Sequence, residues 1–344
     1  MFILIYRNAR KNRRLFIYNL YNTIMVHYIH LKKRRISQRG AGTKYYIDCS
    51  KYSENADDIQ PNTLIRNTNH VAILKAVFID NAPKKNKHIV VKIIRSNKGA
   101  EHEFDIGQTL YANKLMGFIK YTCLFSCYDT TNEDHSEITA REPATKIDSK
   151  ICQAPYNEKT LKKVIVMPYI QKGSVEDFGW NSGNVHILRN ILIQAVLSLS
   201  VAYDEIGFLH GDLHLGNVLF KETNQRTISY VSSDLGNISI EPAGHKVVIM
   251  DFEKSETHEE KTAVANVSFW DNIYVMLNRV NTLSPNNGQR LSWDDSEIIR
   301  FLREAKKRKY PCIREHIVRL HEMMEKSEFD FFEVCEYKYC ADDV

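Results

Sequence analysis

Apolar residues come in short β-branched runs over the first half of the chain and in long helical stripes over the second. Residues 70–80 (HVAILKAVFID) and 89–94 (IVVKII) flank the polar turn NAPKKNKH, which predicts an antiparallel hairpin. In the next stretch, AEHEFDIGQTLYANKL, residues Phe104, Ile106, Leu110 and Leu115 share one broad helical face. FIKYTCLFSCYD returns to strand character, and residues 163–170 (KVIVMPYI) form a short strand with a proline near its end. Residues 185–207 read as one long helix that stops at Gly207. Residues 246–252 (KVVIMDF) are another strand, and from Phe269 onward the pattern is mostly helical, broken at LSPNNG. Residues 129–161 and 221–246 are polar, lack a period and read as surface insertions. A mainly β part with one helix, followed by a mainly α part, predicts an α+β protein of two lobes. The boundaries fall at 1–45 for an N-terminal extension, 46–170 for the first lobe and its hinge, and 171–344 for the second lobe. There is no internal repeat.

Charge changes this picture only at the N-terminus. Residues 1–40 hold ten Lys or Arg and no Asp or Glu, whereas the other 304 residues carry 37 basic and 42 acidic side chains. The overall charge of +5 therefore comes wholly from the first segment. Its opening, MFILIYRNARKNRRLFIYNLY, has too short an apolar run for a signal peptide. It suits an anionic surface, lipid or nucleic acid, or a transit-like segment, and equally a disordered or loosely helical extension. No stretch reaches about eighteen uninterrupted apolar residues, so no transmembrane segment is expected. The seven cysteines are scattered without a CxxC pair, which argues against a disulfide scaffold and for a reducing, intracellular setting. Cys335 and Cys340 with His316 and His321 match no common zinc spacing.

The densest chemistry lies in residues 208–220, FLHGDLHLGNVLF. In a loop after the long helix, Asp212 can accept a proton, and Asn217 can offer an amide oxygen to a metal. Asp251, ending the strand VVIMDF, can hold Mg²⁺, a hard ion that takes oxygen ligands. Lys92 sits among apolar neighbours in VVKII and needs a fixed anion, which Glu103 or a phosphate can supply. Phosphoryl transfer uses such parts, since it depends on positioning and on stabilising negative charge.

These elements, in this order, resemble the protein-kinase-like superfamily from about residue 60 onward. The resemblance implies a two-lobed kinase fold that uses ATP and Mg²⁺. Lys92 is similar to the family's strand lysine and Glu103 to its helix partner. Met167 is placed at the gate of the adenine pocket, with Tyr169 in the hinge. Asp212 corresponds to the catalytic base, Asn217 and Asp251 to the metal ligands, and His210 to a brace of the catalytic loop. Asp271 in FWDNIYVML is similar to the helix aspartate that ties that loop down. The nucleotide loop falls on Ile65, Arg66, Asn67, Thr68, Asn69, His70, Val71, Ala72 and Ile73, with Arg66, Thr68 and Val71 at the usual glycine positions.

Three departures bear on function. The glycines of the phosphate loop are missing. Gly211 replaces the arginine of regulated protein kinases, and the segment from Asp251 to Asp271 is short. His214 stands where Ser/Thr kinases place a lysine, and Glu253 stands where DFG has glycine, as in aminoglycoside phosphotransferases. The hinge, VMPYIQKGSVEDF, reads like a protein kinase's, and the 221–246 insertion resembles Ser/Thr kinases of poxviruses and other large DNA viruses. The leading expectation is a Ser/Thr protein kinase acting on a protein substrate, in the host cytoplasm or virion if viral. A small-molecule kinase and a pseudokinase scaffold are the alternatives.

Overall fold

The structure is a computed structural model that describes residues 59–67, 71–78, 87–94, 99–129, 152–153, 161–283 and 289–333. The chain divides into Met1–Ile47 and Asp48–Val344, and all described residues lie in the second unit. The basic segment, 1–40, and the loop residues Thr68, Asn69 and His70 lie outside the described residues.

The first part is a six-stranded antiparallel sheet. Its strands are β1 (Ile59–Asn67), β2 (Val71–Phe78), β3 (Lys87–Ile94), β4 (Cys123–Asp129), β5 (Cys152–Gln153) and β6 (Leu161–Pro168), in the order β1-β2-β3-β6-β4-β5. The expected hairpin is β2–β3, with Ile73 opposite Lys92 and Lys75 opposite Val90. Helix α1 (Ala100–Ala112) follows β3 and buries Glu103, Ile106, Gly107 and Leu110. Gly107 is a costly residue inside a helix, by about 1 kcal/mol relative to alanine. Its reason is packing, because a Cβ there would stand 2.4 Å from the Tyr121 ring. Cys123 in β4 is disulfide-bonded, an exception to the expected reduced cysteines, and Cys312 is a buried free thiol.

The second part is organised on α2 (Val185–Ile206), buried continuously from Ile191 to Asp204. It is long and apolar enough to cross a membrane, yet here that apolar surface is the core of the helical lobe. Gly207 ends it in the left-handed region at φ 63°, and the chain continues into β7 (Phe208–Leu209). β8 (Val218–Glu222) pairs with β11 (His245–Ile249), with Val218 opposite Ile249. Between them the polar insertion forms an ordered hairpin, β9 (Ile228–Ser232) and β10 (Gly236–Ile240), which buries Ile228, Tyr230, Ile238 and Ile240. The insertion was expected to be irregular. Its short alternation of apolar and polar residues is a strand signal hidden by the serines and asparagines. β12 (Glu256–Thr257) pairs with β7. Helices α3 (Ala263–Asn278), α4 (Ser296–Arg308) and α5 (Arg314–Lys326) complete the lobe. The C-terminal part, expected to be mostly helical, also holds a strand pair, β13 (Gln289–Trp293) with β14 (Phe329–Glu333).

Candidate active site

The two parts meet at Lys92. Its Nζ donates to Glu103 Oε2 at 2.8 Å and to Asp251 Oδ1 at 2.6 Å. Lys92 and Glu103 are buried. Burial alone would lower the Lys92 ammonium, but the charges and hydrogen bonds of Glu103 and Asp251 hold it above its ordinary value. Burial would likewise raise Asp251, and Lys92, with His210 and His214, brings its carboxyl below the usual range. Burial pushes the Glu103 carboxyl up against the pull of Lys92. Glu103 is further fixed by Tyr121, whose hydroxyl donates to Oε1 at 2.5 Å. Tyr121 was not foreseen, because its role depends on the close approach that Gly107 permits.

Asn217 and Asp251 come together through the β8–β11 register. Asn217 precedes the first residue of β8, Met250 follows the last of β11, and Met250 N–H donates to Asn217 O at 3.0 Å. The Asn217 Nδ2 donates to the Asp212 carbonyl at 3.0 Å, leaving the amide oxygen as the ligand atom. A carboxylate and an amide oxygen suit Mg²⁺. Among the described residues no group of three or more His, Cys, Asp or Glu could hold a metal by itself. The donor set therefore fits an ion that arrives with phosphate oxygens, the usual habit of Mg²⁺.

Asp212 is half exposed, and Lys254 Nζ donates to its Oδ2 at 2.8 Å. His210 is buried, and its Nε2–H donates to Met250 O at 2.9 Å. Burial holds its pKa below the ordinary value, and Nδ1 has no partner to accept a second proton. The neutral ring packs edge-on against Phe252 at 5.9 Å. Phe252 also meets Tyr121 and Phe208, at 5.5 and 6.0 Å.

Two expectations need correction. Asp271 does not tie down the catalytic loop, because its carboxylate pairs with Lys306 of α4. Its neighbour Asn272 does so instead, accepting from Gly211 N–H at 2.9 Å. One step along a helix turns a side chain by about 100°, and that turn decides which residue faces the loop. Ala72 is buried opposite Ile93, so its side chain shares the face of β2–β3 away from Lys92. Ile73 is the residue facing Lys92's side, and Arg66 pairs with Ile73 across a β1 irregularity. Val71, opposite Ile94, shares that side, whereas Ile65 is exposed. Met167 is buried opposite Val90. The Tyr169 ring lies under Lys75, with the ammonium 4.3 Å from its centroid.

Gly211 also gains a physical reason. Its φ is 75°, and a Cβ would stand 2.1 Å from the Lys254 carbonyl oxygen. Any other residue there would push away the segment that follows Asp251. That segment is fastened again by Ser255, whose Oγ donates to His210 O at 2.9 Å, and by His102 Nε2 of α1, which donates to Ser255 O at 2.7 Å.

The family model of the ABC1 atypical kinase-like domain matches residues 82–275, from before β3 into the last turn of α3. The chain belongs to this family. Among curated proteins, an uncharacterized protein of Caenorhabditis elegans, ZK177.2, is 33% identical over 76 residues, which are 22% of this chain and 25% of that protein. A serine/threonine-protein kinase haspin homolog of Arabidopsis thaliana is 26% identical over 129 residues, 31% of this chain and 21% of that protein. The chain thus spans a quarter or less of these relatives' length. The ABC1 kinase-like match includes Lys92, Glu103, Asp212, Asn217 and Asp251, and the α+β architecture above is that of a kinase-like domain.

Proposed function

We propose that the chain transfers the γ-phosphate of ATP to a serine or threonine hydroxyl of a protein. The observation that carries this is Lys92 held between Glu103 and Asp251, in a fold that sets Asn217 and Asp212 beside Asp251. Lys92 supplies a buried cation for phosphate oxygens. Asp212 accepts the proton of the attacking hydroxyl, and its exposure leaves room for an acceptor. Asn217 and Asp251 hold Mg²⁺, which when bound neutralises charge on the nucleotide phosphates. Val71, Ile73, Met167 and Tyr169 contribute the base and sugar side of the slot, and Arg66 stands where the usual loop has a glycine.

Similarity to the haspin homolog supports a protein acceptor. A small-molecule acceptor is the second reading, favoured by the short segment between Asp251 and α3 and by the atypical family. The placement among kinases of large DNA viruses rests on the 221–246 insertion and that short segment, while the two relatives named above come from a nematode and a plant. ATP use implies an intracellular site of action. Residues 1–40 are proposed to bind an anionic lipid or nucleic acid surface. Removing them should abolish a salt-sensitive association, and an unchanged salt profile after truncation would end that part of the reading.

The decisive experiment incubates the full chain with labelled ATP, Mg²⁺ and a protein pool. The expected result is label in phosphoserine or phosphothreonine that is absent with Asp212→Ala. Equal label from both proteins contradicts the role of Asp212. Label confined to added small hydroxyl compounds moves the reading to a small-molecule kinase, and no label at all leaves a scaffold.

A further inference from the structure

We infer that Lys254 is a catalytic group of the transfer step, the cation that takes up negative charge on the migrating phosphoryl group beside Asp212. This rests on the phosphotransferase reading above. Lys254 Nζ lies 2.8 Å from Asp212 Oδ2, and the two side chains are 65% and 44% exposed. An ion pair so open to water contributes little to folding, so stability does not account for its placement.

The backbone of Lys254, by contrast, is fixed. Its carbonyl lies against Gly211, where no Cβ fits. Ser255 is tied to His210 and to Phe252, through Oγ to His210 O at 2.9 Å and through N–H to Phe252 O at 3.1 Å. β12 then pairs with β7. The lysine is anchored next to the catalytic loop, and only its flexible four-carbon stem is free to move.

The loop itself offers Asp212 no cation. His214 accepts the Gly216 N–H through Nδ1 at 3.1 Å and faces Glu176 at 3.8 Å. Lys92 is buried on the other side of the cluster, on Asp251. Among the described residues, one lysine thus serves each of the two aspartates, Lys92 on Asp251 and Lys254 on Asp212. The hydrogen bond to Asp212 and then that carboxylate's charge hold Lys254 above the usual lysine range, so it stays cationic at neutral pH.

In the transfer, the acceptor oxygen bonds to the γ-phosphorus while the bridging P–O bond to ADP breaks. The bonding electron pair leaves on the β-phosphate oxygen, and the hydroxyl proton passes to Asp212. Charge on the three equatorial oxygens must be met by donors already in place. An ammonium has three donors, so Lys254 can keep Asp212 oriented with one and meet a phosphoryl oxygen with another.

The test is single-turnover transfer by the full chain at saturating Mg·ATP, read as autophosphorylation and as ADP release. Lys254→Met should lower the rate constant about 10²-fold, the usual cost of one transition-state donor. Its melting temperature, and the thermal shift given by Mg·ADP, which lacks the γ-phosphate, should match wild type. Lys254→Gln, a donor without charge, should be slow like the methionine variant, and Lys254→Arg should recover part of the rate. A Lys254→Met or Lys254→Gln rate near or above wild type, with Asp212→Asn strongly slowed, overturns the inference and leaves the phosphotransferase reading standing. A wild type that binds Mg·ADP yet transfers nothing removes both.

Discussion

Two lysine–carboxylate contacts flank the same cluster, and they differ in kind. Lys92 is buried and touches two carboxylates, one of which, Glu103, is held in turn by the Tyr121 hydroxyl. Lys254 lies in the open, and among the described residues its ammonium pairs with Asp212 alone. Removing one member of a buried set strands a charge in a medium that solvates it poorly, whereas removing one member of an exposed pair hands the survivor to water. The first contact is therefore part of the fold and of the site together. The second is nearly independent of the fold, which frees it to exchange partners.

The largest effect should follow Lys92→Met. Two carboxylates lose their cation, so stability should fall by about 3–5 kcal/mol and phosphate transfer should vanish, measured by urea denaturation and label incorporation. Were stability unchanged, the contrast between the two lysines would collapse. Next comes Asp212→Asn, which should slow transfer about 10²–10⁴-fold while leaving the urea midpoint where it was. Gly211→Ala should displace the Lys254 backbone, because the new Cβ meets a carbonyl oxygen at 2.1 Å. Combined with Lys254→Met in a double-mutant cycle, its loss of rate should be far from additive, and strict additivity would show that the glycine does not act through the lysine. Gly107→Ala should cost about 1–3 kcal/mol by overpacking against Tyr121, with a parallel loss of activity as Glu103 loses its hydroxyl partner. A stabilised and fully active alanine variant would refute that link.

The smallest effect is acid-dependent. Burial would raise Asp204, but hydrogen bonds from Lys261, Ser232 and the Asp234 N–H bring it down to about 2. A carboxyl depressed below its unfolded value of about 3.9 stabilises fully above that pH and stops doing so as pH falls through its folded value. Asp204→Asn should therefore be less stable than wild type at pH 7 and close to it near pH 2, as followed by urea midpoints. A gap that stays constant with pH would show that the carboxylate's charge is not what matters there.

The residues readable from sequence are those whose chemistry is local. Lys92, Glu103, Asp212, Asn217 and Asp251 sit in short motifs, and the β2–β3 and β8–β11 pairings bring them together. Residues that act only through distant backbone were missed. Lys254 gains its place from Gly211, 43 positions earlier, and Asn272 rather than Asp271 faces the loop because of one helical step. The β9–β10 hairpin was masked by polar composition, and β13–β14 joins segments about forty residues apart, beyond the reach of a local pattern.

The seat of α1 carries a consequence for inhibitor design. Glu103 bonds Lys92 and Tyr121, and His102 bonds the Ser255 carbonyl, so the helix is held from two sides. Swinging it outward would strand the buried Lys92–Glu103 pair, at a cost of about 3–5 kcal/mol. That energy leaves the swung-out form below about one molecule in a hundred, and a compound selecting it loses affinity by the same factor. Ligands for this protein should therefore be sought against the helix-in form. Screens built on an outward helix start with a hundredfold handicap.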